Sequence, residues 1–106
     1  MNSKQRAYLR GLANSITAIF QIGKGGISEN QVKQVSEALE ARELIKISVL
    51  ENAPDFARDL GNEIAEKTGA ELVQVVGNKI TLYRPRKKDS KIILPMRASP
   101  PSRRGR

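Results

Sequence analysis

The residues best suited to chemistry form a short glycine-rich segment, Gly23-Lys24-Gly25-Gly26, with the spacing G-x-x-G. Glycine has no side chain to block the approach of a large ligand, and it adopts positive φ angles at little cost. Ser28 follows at a position suited to begin a helix, so backbone N–H groups and the positive end of a helix dipole would face the segment. This pattern favours the binding of phosphate oxygens, with Lys24 adding a positive charge.

The same spacing has other interpretations. G-x-x-G occurs often by chance, and a tight turn between a strand and a helix needs glycine even without a ligand. A Walker loop is a poor match, because its lysine follows the last glycine whereas Lys24 precedes Gly25 and Gly26. KH domains clamp single-stranded nucleic acid with a loop of this pattern. We therefore predict a KH-like G-x-x-G loop, provided that a strand precedes it and a capped helix follows it.

Catalysis has little support in the composition. Histidine and cysteine are absent, which removes the commonest general base, the thiol nucleophile and the preferred zinc ligands. Carboxylates occur at the spacing of a solvent-exposed helix face, as in Glu37, Glu40, Glu63 and Glu66. A metal-dependent hydrolase or a protein-interaction module that uses these acids stays an alternative. The main prediction is a protein that is not an enzyme, with no catalytic residue, metal or cofactor.

The net charge of +8 is distributed unevenly. Residues 1–24 contain four basic residues and no acid, residues 25–78 contain five basic and ten acidic residues, and residues 79–106 contain ten basic residues and one acid. Two basic blocks around an acidic middle favour a polyanionic partner, RNA or DNA, over a membrane. There is no long apolar run and no secretory signal, so we expect a cytoplasmic protein.

The elements around the loop follow from hydrophobic periodicity. Ser3 is placed to cap a first helix over residues 4–14, with a buried stripe of Tyr8, Leu9, Leu12 and Ala13. The alternation of residues 16–22 predicts a strand that runs into the glycine segment.

A second helix is predicted over residues 29–42. Ser28 and Gln31 have capping-box spacing, and Ile27 and Val32 have the spacing of a hydrophobic staple. The side chains expected to face inward are Val32, Val35 and Leu39, and those expected on the exposed side are Glu37, Glu40 and Glu43.

The second half of the chain predicts a second strand, a third helix and two further strands. Residues 44–50 form a strand, and a helix that begins near Pro54 ends near Gly69. That helix should bury Phe56, Leu60 and Ile64, with Gly61 allowing close packing against a sheet. Two strands over residues 71–76 and 79–83 are joined by a Gly77-Asn78 turn. The fold class is therefore α/β, a compact α-β-α-β-α-β-β sandwich with a mixed four-stranded sheet.

The C-terminal segment differs in composition. Basic residues crowd together after the last strand, and we predict that they face the nucleic acid: Arg84, Arg86, Lys87 and Lys88. The apolar residues 92–94 could add an extra edge to the sheet. Residues 1–95 are predicted to form one RNA-binding domain, and residues 96–106, rich in proline, serine and arginine, a disordered basic tail.

Several segments, in order along the chain, resemble the CRM domain (chloroplast RNA splicing and ribosome maturation) in its stand-alone bacterial YhbY form. The resemblance extends over residues 3–95. The matching segments are KQR at 4–6, LRGLA at 9–13, IGKGG at 22–26, ELIKI at 43–47, TGA at 68–70, VQVVG at 73–77 and LYRP at 82–85. The chain departs from the family pattern after the first helix, where Asn14, Ser15 and Ala18 replace a frequent histidine and prolines.

The resemblance implies a fold like the C-terminal domain of translation initiation factor three. It also implies a factor that binds ribosomal RNA in precursors of the large ribosomal subunit. By position, the family's RNA contacts would fall on Gly23, Lys24, Gly25 and Gly26. The basic residues of the first helix, Lys4, Arg6 and Arg10, would extend that surface. We expect a monomer, and the alternative function is binding of duplex DNA by a chromatin-like small α/β protein.

Overall fold

The computed structural model describes residues 2–85, which form three helices and four strands. Their bounds are α1 (Ser3–Ala13), β1 (Ala18–Ile22), α2 (Glu29–Arg42), β2 (Leu44–Val49), α3 (Ala57–Thr68), β3 (Glu71–Val76) and β4 (Lys79–Tyr83). The predicted order α-β-α-β-α-β-β is confirmed. The predicted tail, the domain boundary at residue 95 and the extra edge at residues 92–94 lie outside the described residues.

The strands form one mixed sheet in the order β1-β2-β4-β3. β1 pairs with β2 in parallel, whereas β4 is antiparallel to both β2 and β3. One end of the sheet, which we call the loop end, carries the last residues of β1 and β2 and the β3–β4 turn. The opposite end carries Leu44, Tyr83 and Glu71, which lie side by side in neighbouring strands. The predicted mixed four-stranded sheet is therefore confirmed.

Helices cover both faces of the sheet. α2 and α3 pack on one face, and the fully buried side chains there are Ile22, Val35, Leu39, Ile45, Ile47, Leu60, Ile64, Ile80 and Leu82. α1 packs on the other face, where Leu9 and Ala13 contact Leu44, Val73 and Tyr83. Because β2 is sandwiched between the two layers, both sets of its alternating side chains are largely buried.

Close packing of α3 depends on Gly61, as predicted. A Cβ atom at this position would lie 3.1 Å from Cδ1 of Leu72 and 3.3 Å from Cγ2 of Ile80. The helix can therefore approach β3 and β4 only because residue 61 has no side chain. Gly69 ends α3 in the left-handed conformation with φ of 71°, which also agrees with the sequence analysis.

The start of α1 differs from the prediction by one residue. Asn2, not Ser3, caps the helix: its Oδ1 accepts from the N–H of Gln5 at 2.8 Å, and its own N–H donates to Gln5 Oε1 at 3.2 Å. The buried stripe runs through Gln5, Leu9 and Ala13, spaced four residues apart, so Tyr8 turns away and is 42% exposed. The prediction that Tyr8 is buried was wrong.

Two further burial predictions were wrong, both at helix ends. Phe56 was placed in the core, but α3 begins at Ala57, and Phe56 precedes it with 81% of its surface exposed. Helical periodicity does not apply to a residue outside the helix. Glu43 was placed on the exposed face of α2, but it is fully buried. It ends the helix with φ of 69°, so the chain turns there into the central strand β2.

Candidate nucleic-acid interface

The glycine segment forms a tight turn at the loop end of the sheet, directly after β1. The N–H of Gly26 donates to the carbonyl oxygen of Gly23 at 2.9 Å. Gly26 has φ of +67°, a conformation that residues with side chains rarely adopt. The turn leaves Lys24 and Gly25 exposed at its tip.

Of the two outer glycines, Gly26 is the one that the fold around the turn needs. Besides its positive φ, a Cβ atom at Gly26 would lie 3.2 Å from Cγ of Pro54, which is a tight contact. A Cβ atom at Gly23 would make an ordinary contact, 3.4 Å from Cδ1 of Leu50, so the β2–α3 connection packs directly against the turn. At Gly25 a Cβ atom would have no neighbour within 4 Å. Gly26 shapes the turn, whereas Lys24 and Gly25 can face a ligand.

The start of α2 holds the turn from the other side. Ser28 Oγ accepts from the N–H of Gln31 at 3.0 Å, so the predicted N-cap is confirmed. The Gln31 side chain reaches across to β1, where its Nε2 donates to the carbonyl oxygen of Gln21 at 2.7 Å. With β1 and α2 joined in this way, the helix N-terminus is fixed beside the glycine turn, which favours anions there.

The β3–β4 turn adds a second lysine to the loop end. Lys79 Nζ lies 3.4 Å from Ser48 Oγ and 3.3 Å from Asn78 Oδ1, which orients it at the ends of β2 and β4. Asn78 in turn exchanges two hydrogen bonds with the backbone of Val49, at 2.7 and 3.0 Å. Lys79 was not among the predicted RNA contacts, although its position after a two-residue turn places it at the loop end of the sheet.

The predicted basic residues of α1 do not adjoin the glycine turn. Lys4 and Arg10 are exposed, but α1 packs near the opposite end of the sheet. Leu72 on β3 lies beside α1. The path from Leu72 to the turn crosses three strand spacings of the sheet and about four residues along a strand, so Leu72 is about 20 Å from the turn. The predicted single surface is therefore two patches, one on the turn and one on α1.

Arg6 is engaged in the fold. Its Nη1 donates to the carbonyl oxygens of Leu72 at 2.7 Å and Val73 at 3.0 Å. The pairing of β3 with β4 shifts between Leu72 and Gln74, which is the position of a β-bulge. Because β3 is an edge strand, Arg6 satisfies carbonyl groups that its strand partner leaves free and fixes α1 to the sheet.

Arg84 has a similar role between the helices of the other face. Its Nη1 donates to Ser36 Oγ at 3.0 Å and to the carbonyl oxygen of Thr68 at 2.7 Å. Its Nη2 donates to the carbonyl oxygen of Ser36 at 2.7 Å. One guanidinium therefore joins the middle of α2 to the last turn of α3. The other predicted basic residues of this cluster, Arg86, Lys87 and Lys88, lie outside the described residues.

We expect the substitution Arg84→Ala to lower the free energy of unfolding by about 1.5 kcal/mol, because it removes charge-assisted hydrogen bonds and leaves partly buried carbonyl oxygens without a donor. Urea denaturation measures the change. Arg58→Ala, at an exposed position in the first turn of α3, is the matched control and should change stability by less than about 0.5 kcal/mol. Equal stability of the two variants would show that the Arg84 bonds contribute nothing net.

The Tyr83 phenol lies at the end of the sheet opposite the glycine turn. Burial raises the pKa of the Tyr83 phenol above its ordinary value of 10.0, and the Glu43 carboxylate raises that pKa further. The phenol is therefore neutral at pH 7, at the opposite end of the sheet.

Within residues 2–85, no group of three or more acidic side chains is arranged to hold a metal ion. None of the described helices combines the length and apolar character needed to span a bilayer.

Comparison with known proteins gives consistent relatives. The CRS1/YhbY (CRM) domain matches residues 1–84. The Probable RNA-binding protein YqeI of Bacillus subtilis is 45% identical over 95 residues, which cover 90% of this chain and 99% of the relative. An RNA-binding protein of Haemophilus influenzae is 33% identical over 95 residues, covering 90% of this chain and 95% of the relative.

A solved structure has the same fold. The solution structure of a hypothetical protein from Staphylococcus aureus, described as a candidate RNA-binding protein, superimposes with a TM-score of 0.76. The two sequences are 50% identical, and the match covers 90% of this chain and 99% of the other. The four-stranded sheet and its three helices are therefore common to both proteins.

Proposed function

Because the chain belongs to the CRS1/YhbY (CRM) domain family, we propose that it is an RNA-binding protein that acts without catalysis. Its RNA is ribosomal RNA in precursors of the large ribosomal subunit, where the protein serves as an assembly factor in the cytoplasm. The names of its relatives in Bacillus subtilis and Haemophilus influenzae support RNA as the partner. The resemblance to the stand-alone YhbY form supports ribosomal RNA as the target.

The observation that carries the proposal is the geometry of the glycine turn. Lys24 and Gly25 are exposed at the tip of a turn that is closed by the hydrogen bond from the N–H of Gly26 to the carbonyl oxygen of Gly23. The capped N-terminus of α2 lies directly behind that tip. Backbone N–H groups, a helix dipole and one ammonium group thus favour the same anionic ligand, an RNA phosphate.

The patch on α1 is proposed as a second contact with the RNA. Lys4 and Arg10 are exposed on α1, apart from the turn, so one RNA strand would have to extend across the sheet to contact both patches. We propose no RNA contact for Arg6 and Arg84, because their guanidinium groups already form hydrogen bonds within the protein. β4 ends at the same end of the sheet near which α1 packs. The described residues end at Pro85, and the predicted contacts Arg86, Lys87 and Lys88 follow it in sequence.

A monomer is the proposed state in solution. Side chains occupy some carbonyl groups of the two edge strands: Arg6 bonds to those of Leu72 and Val73 on β3, and Gln31 bonds to that of Gln21 on β1. Occupied edges disfavour the pairing of one sheet with another. Sedimentation of the full chain at several concentrations would measure this state, and a concentration-dependent dimer would contradict it.

The substitution Lys24→Ala should weaken binding of single-stranded RNA about tenfold, the effect of losing one charge-assisted hydrogen bond. The slope of log affinity against log salt concentration should become shallower by about 0.7, because one fewer phosphate is neutralised. Lys33→Ala, at an exposed position on α2, is the control with the same charge change. An unchanged salt slope in the Lys24 variant would remove Lys24 from the interface.

The target is tested by crosslinking in cells, followed by sequencing of the recovered RNA. Recovery mainly of large-subunit ribosomal RNA is expected, and scattered messenger RNA would contradict the proposed role in assembly. Competition between single-stranded RNA, structured RNA and duplex DNA at one fixed salt concentration tests the class of partner. A clear preference for duplex DNA would overturn the proposal.

A further inference from the structure

Phe56 is the most exposed large apolar side chain among residues 2–85, with 81% of its surface open to solvent. Leu50, at the start of the same β2–α3 connection, is 37% exposed. Burial of a phenylalanine side chain is normally worth about 1.5–3 kcal/mol, so a fold gains nothing from leaving one in water. Exposed apolar side chains that occur together mark binding sites more often than single ones, and Phe56 and Leu50 lie in the same connection.

The fold itself would be served better by another residue at position 56. Phe56 is the N-cap of α3, and its side chain makes no capping hydrogen bond. Serine, threonine, aspartate or asparagine at this position would satisfy a free N–H group of the helix. The Phe56 side chain therefore contributes neither a capping hydrogen bond nor buried core surface.

The position of Phe56 links it to the glycine turn. Pro54 packs against the turn, since its Cγ atom is 3.2 Å from the place of a Cβ atom on Gly26. Phe56 follows two residues later, so its backbone is within about 7 Å of Pro54. Phe20 is partly buried against the core, Tyr83 is buried at the other end of the sheet, and the exposed Tyr8 lies on α1. Phe56 is therefore the exposed aromatic side chain of the connection that packs against the turn.

The charges around Phe56 favour a base over a phosphate as its contact. Glu51 and Asp55 are exposed in the same connection, so a phosphate placed there would be repelled. The face of a nucleobase carries no net charge and stacks on aromatic side chains with little dependence on sequence. Because Pro54 of this connection packs against the turn, a base next to a phosphate held at Lys24 would have Phe56 as a neighbouring aromatic surface.

We infer that Phe56 is a stacking platform for one unpaired base of the RNA segment whose phosphate lies on the glycine turn. The inference rests on the proposed RNA binding and adds a base contact to it. Single-stranded or looped RNA is therefore preferred over a fully paired helix at this site, because a paired base cannot leave its stack without cost.

The test uses the full chain and a fluorescent oligouridine of about twelve nucleotides, within the range of known single-strand site sizes. Phe56→Ala should weaken its binding about tenfold, because stacking on one aromatic side chain is lost. The salt slope should stay that of the unaltered protein, since phenylalanine neutralises no phosphate. A ribose-phosphate strand of the same length without bases should bind the variant and the unaltered protein equally.

A tryptophan reporter separates stacking from an indirect effect. The chain contains no tryptophan, so Phe56→Trp introduces a single indole at the proposed platform. This variant should keep the affinity, and oligouridine should quench its fluorescence. Ala41→Trp, at an exposed position in the last turn of α2, is the matched control and should not be quenched.

The outcomes distinguish this inference from the proposed function. If Lys24→Ala weakens binding and Phe56→Ala does not, the stacking platform is wrong and RNA binding at the turn stands. If the unaltered chain binds neither oligouridine nor ribosomal RNA fragments, the proposed function fails together with the inference. Equal quenching of the two tryptophan variants would also overturn the platform.

Discussion

The double substitution Lys24→Asp with Gly25→Asp is expected to weaken RNA binding about a hundredfold, because like charges brought together cost several kcal/mol. It replaces one positive charge by two negative charges at the tip of the glycine turn. The fold should tolerate it, since a Cβ atom at Gly25 meets nothing within 4 Å and Lys24 is exposed. Binding is measured by fluorescence anisotropy at one fixed salt concentration, and folding by urea denaturation.

The matched control places the same charges on the second turn of α2, as Lys33→Asp with Gln34→Asp. Both positions are exposed, and the two double substitutions change the net charge of the chain by the same amount. The control should lose much less affinity than the turn variant. Equal losses would mean that general charge, and not the shape of the turn, determines RNA binding.

The second large effect concerns stability. Gly61→Val should lower the free energy of unfolding by about 2 to 3 kcal/mol, because its methyl groups would extend beyond a Cβ atom that is already tight against Leu72 and Ile80. For a domain of this size the melting temperature should fall by about 10 to 20 °C. Thermal and urea denaturation measure the effect.

Asn62→Val is the control for this substitution. It places the same β-branched residue at the next position of α3, where the side chain is exposed, and asparagine and valine have similar helix propensities. Its stability should change by less than about 0.5 kcal/mol. If Gly61→Val were as stable as Asn62→Val, close packing of α3 on the sheet would not depend on residue 61.

Local signals in the sequence were sufficient for the elements of the fold. The Ser28 cap, the alternation before Gly23, the Gly69 helix end and the Gly77-Asn78 turn depend on residues near one another in the chain, and all are found in the structure. Two of the wrong burial predictions, those for Phe56 and Glu43, came from helix ends, whereas the one for Tyr8 came from the orientation of the buried stripe on α1. A shift of the start of α3 from Pro54 to Ala57 was enough to move Phe56 out of the core.

Side-chain contacts between distant segments were not predictable from the sequence. Arg6 bonds to β3, 66 and 67 residues away, and Arg84 bonds to Ser36, 48 residues away. From the sequence, both residues were predicted to lie on the basic surface, because charge alone does not show whether a guanidinium faces solvent or carbonyl groups. The separation of α1 from the glycine turn likewise depends on sheet order, which periodicity does not determine.

Phosphate binding at the glycine turn is tested most directly by titrating the isotope-labelled full chain with single-stranded RNA and following the backbone amide signals by NMR. We expect the largest shifts at the amides of residues 23–28, where the glycine turn meets the start of α2. Smaller shifts are expected on α1 around Lys4 and Arg10. Largest shifts on the acidic face of α2, with the amides of the turn unmoved, would contradict phosphate binding at the turn.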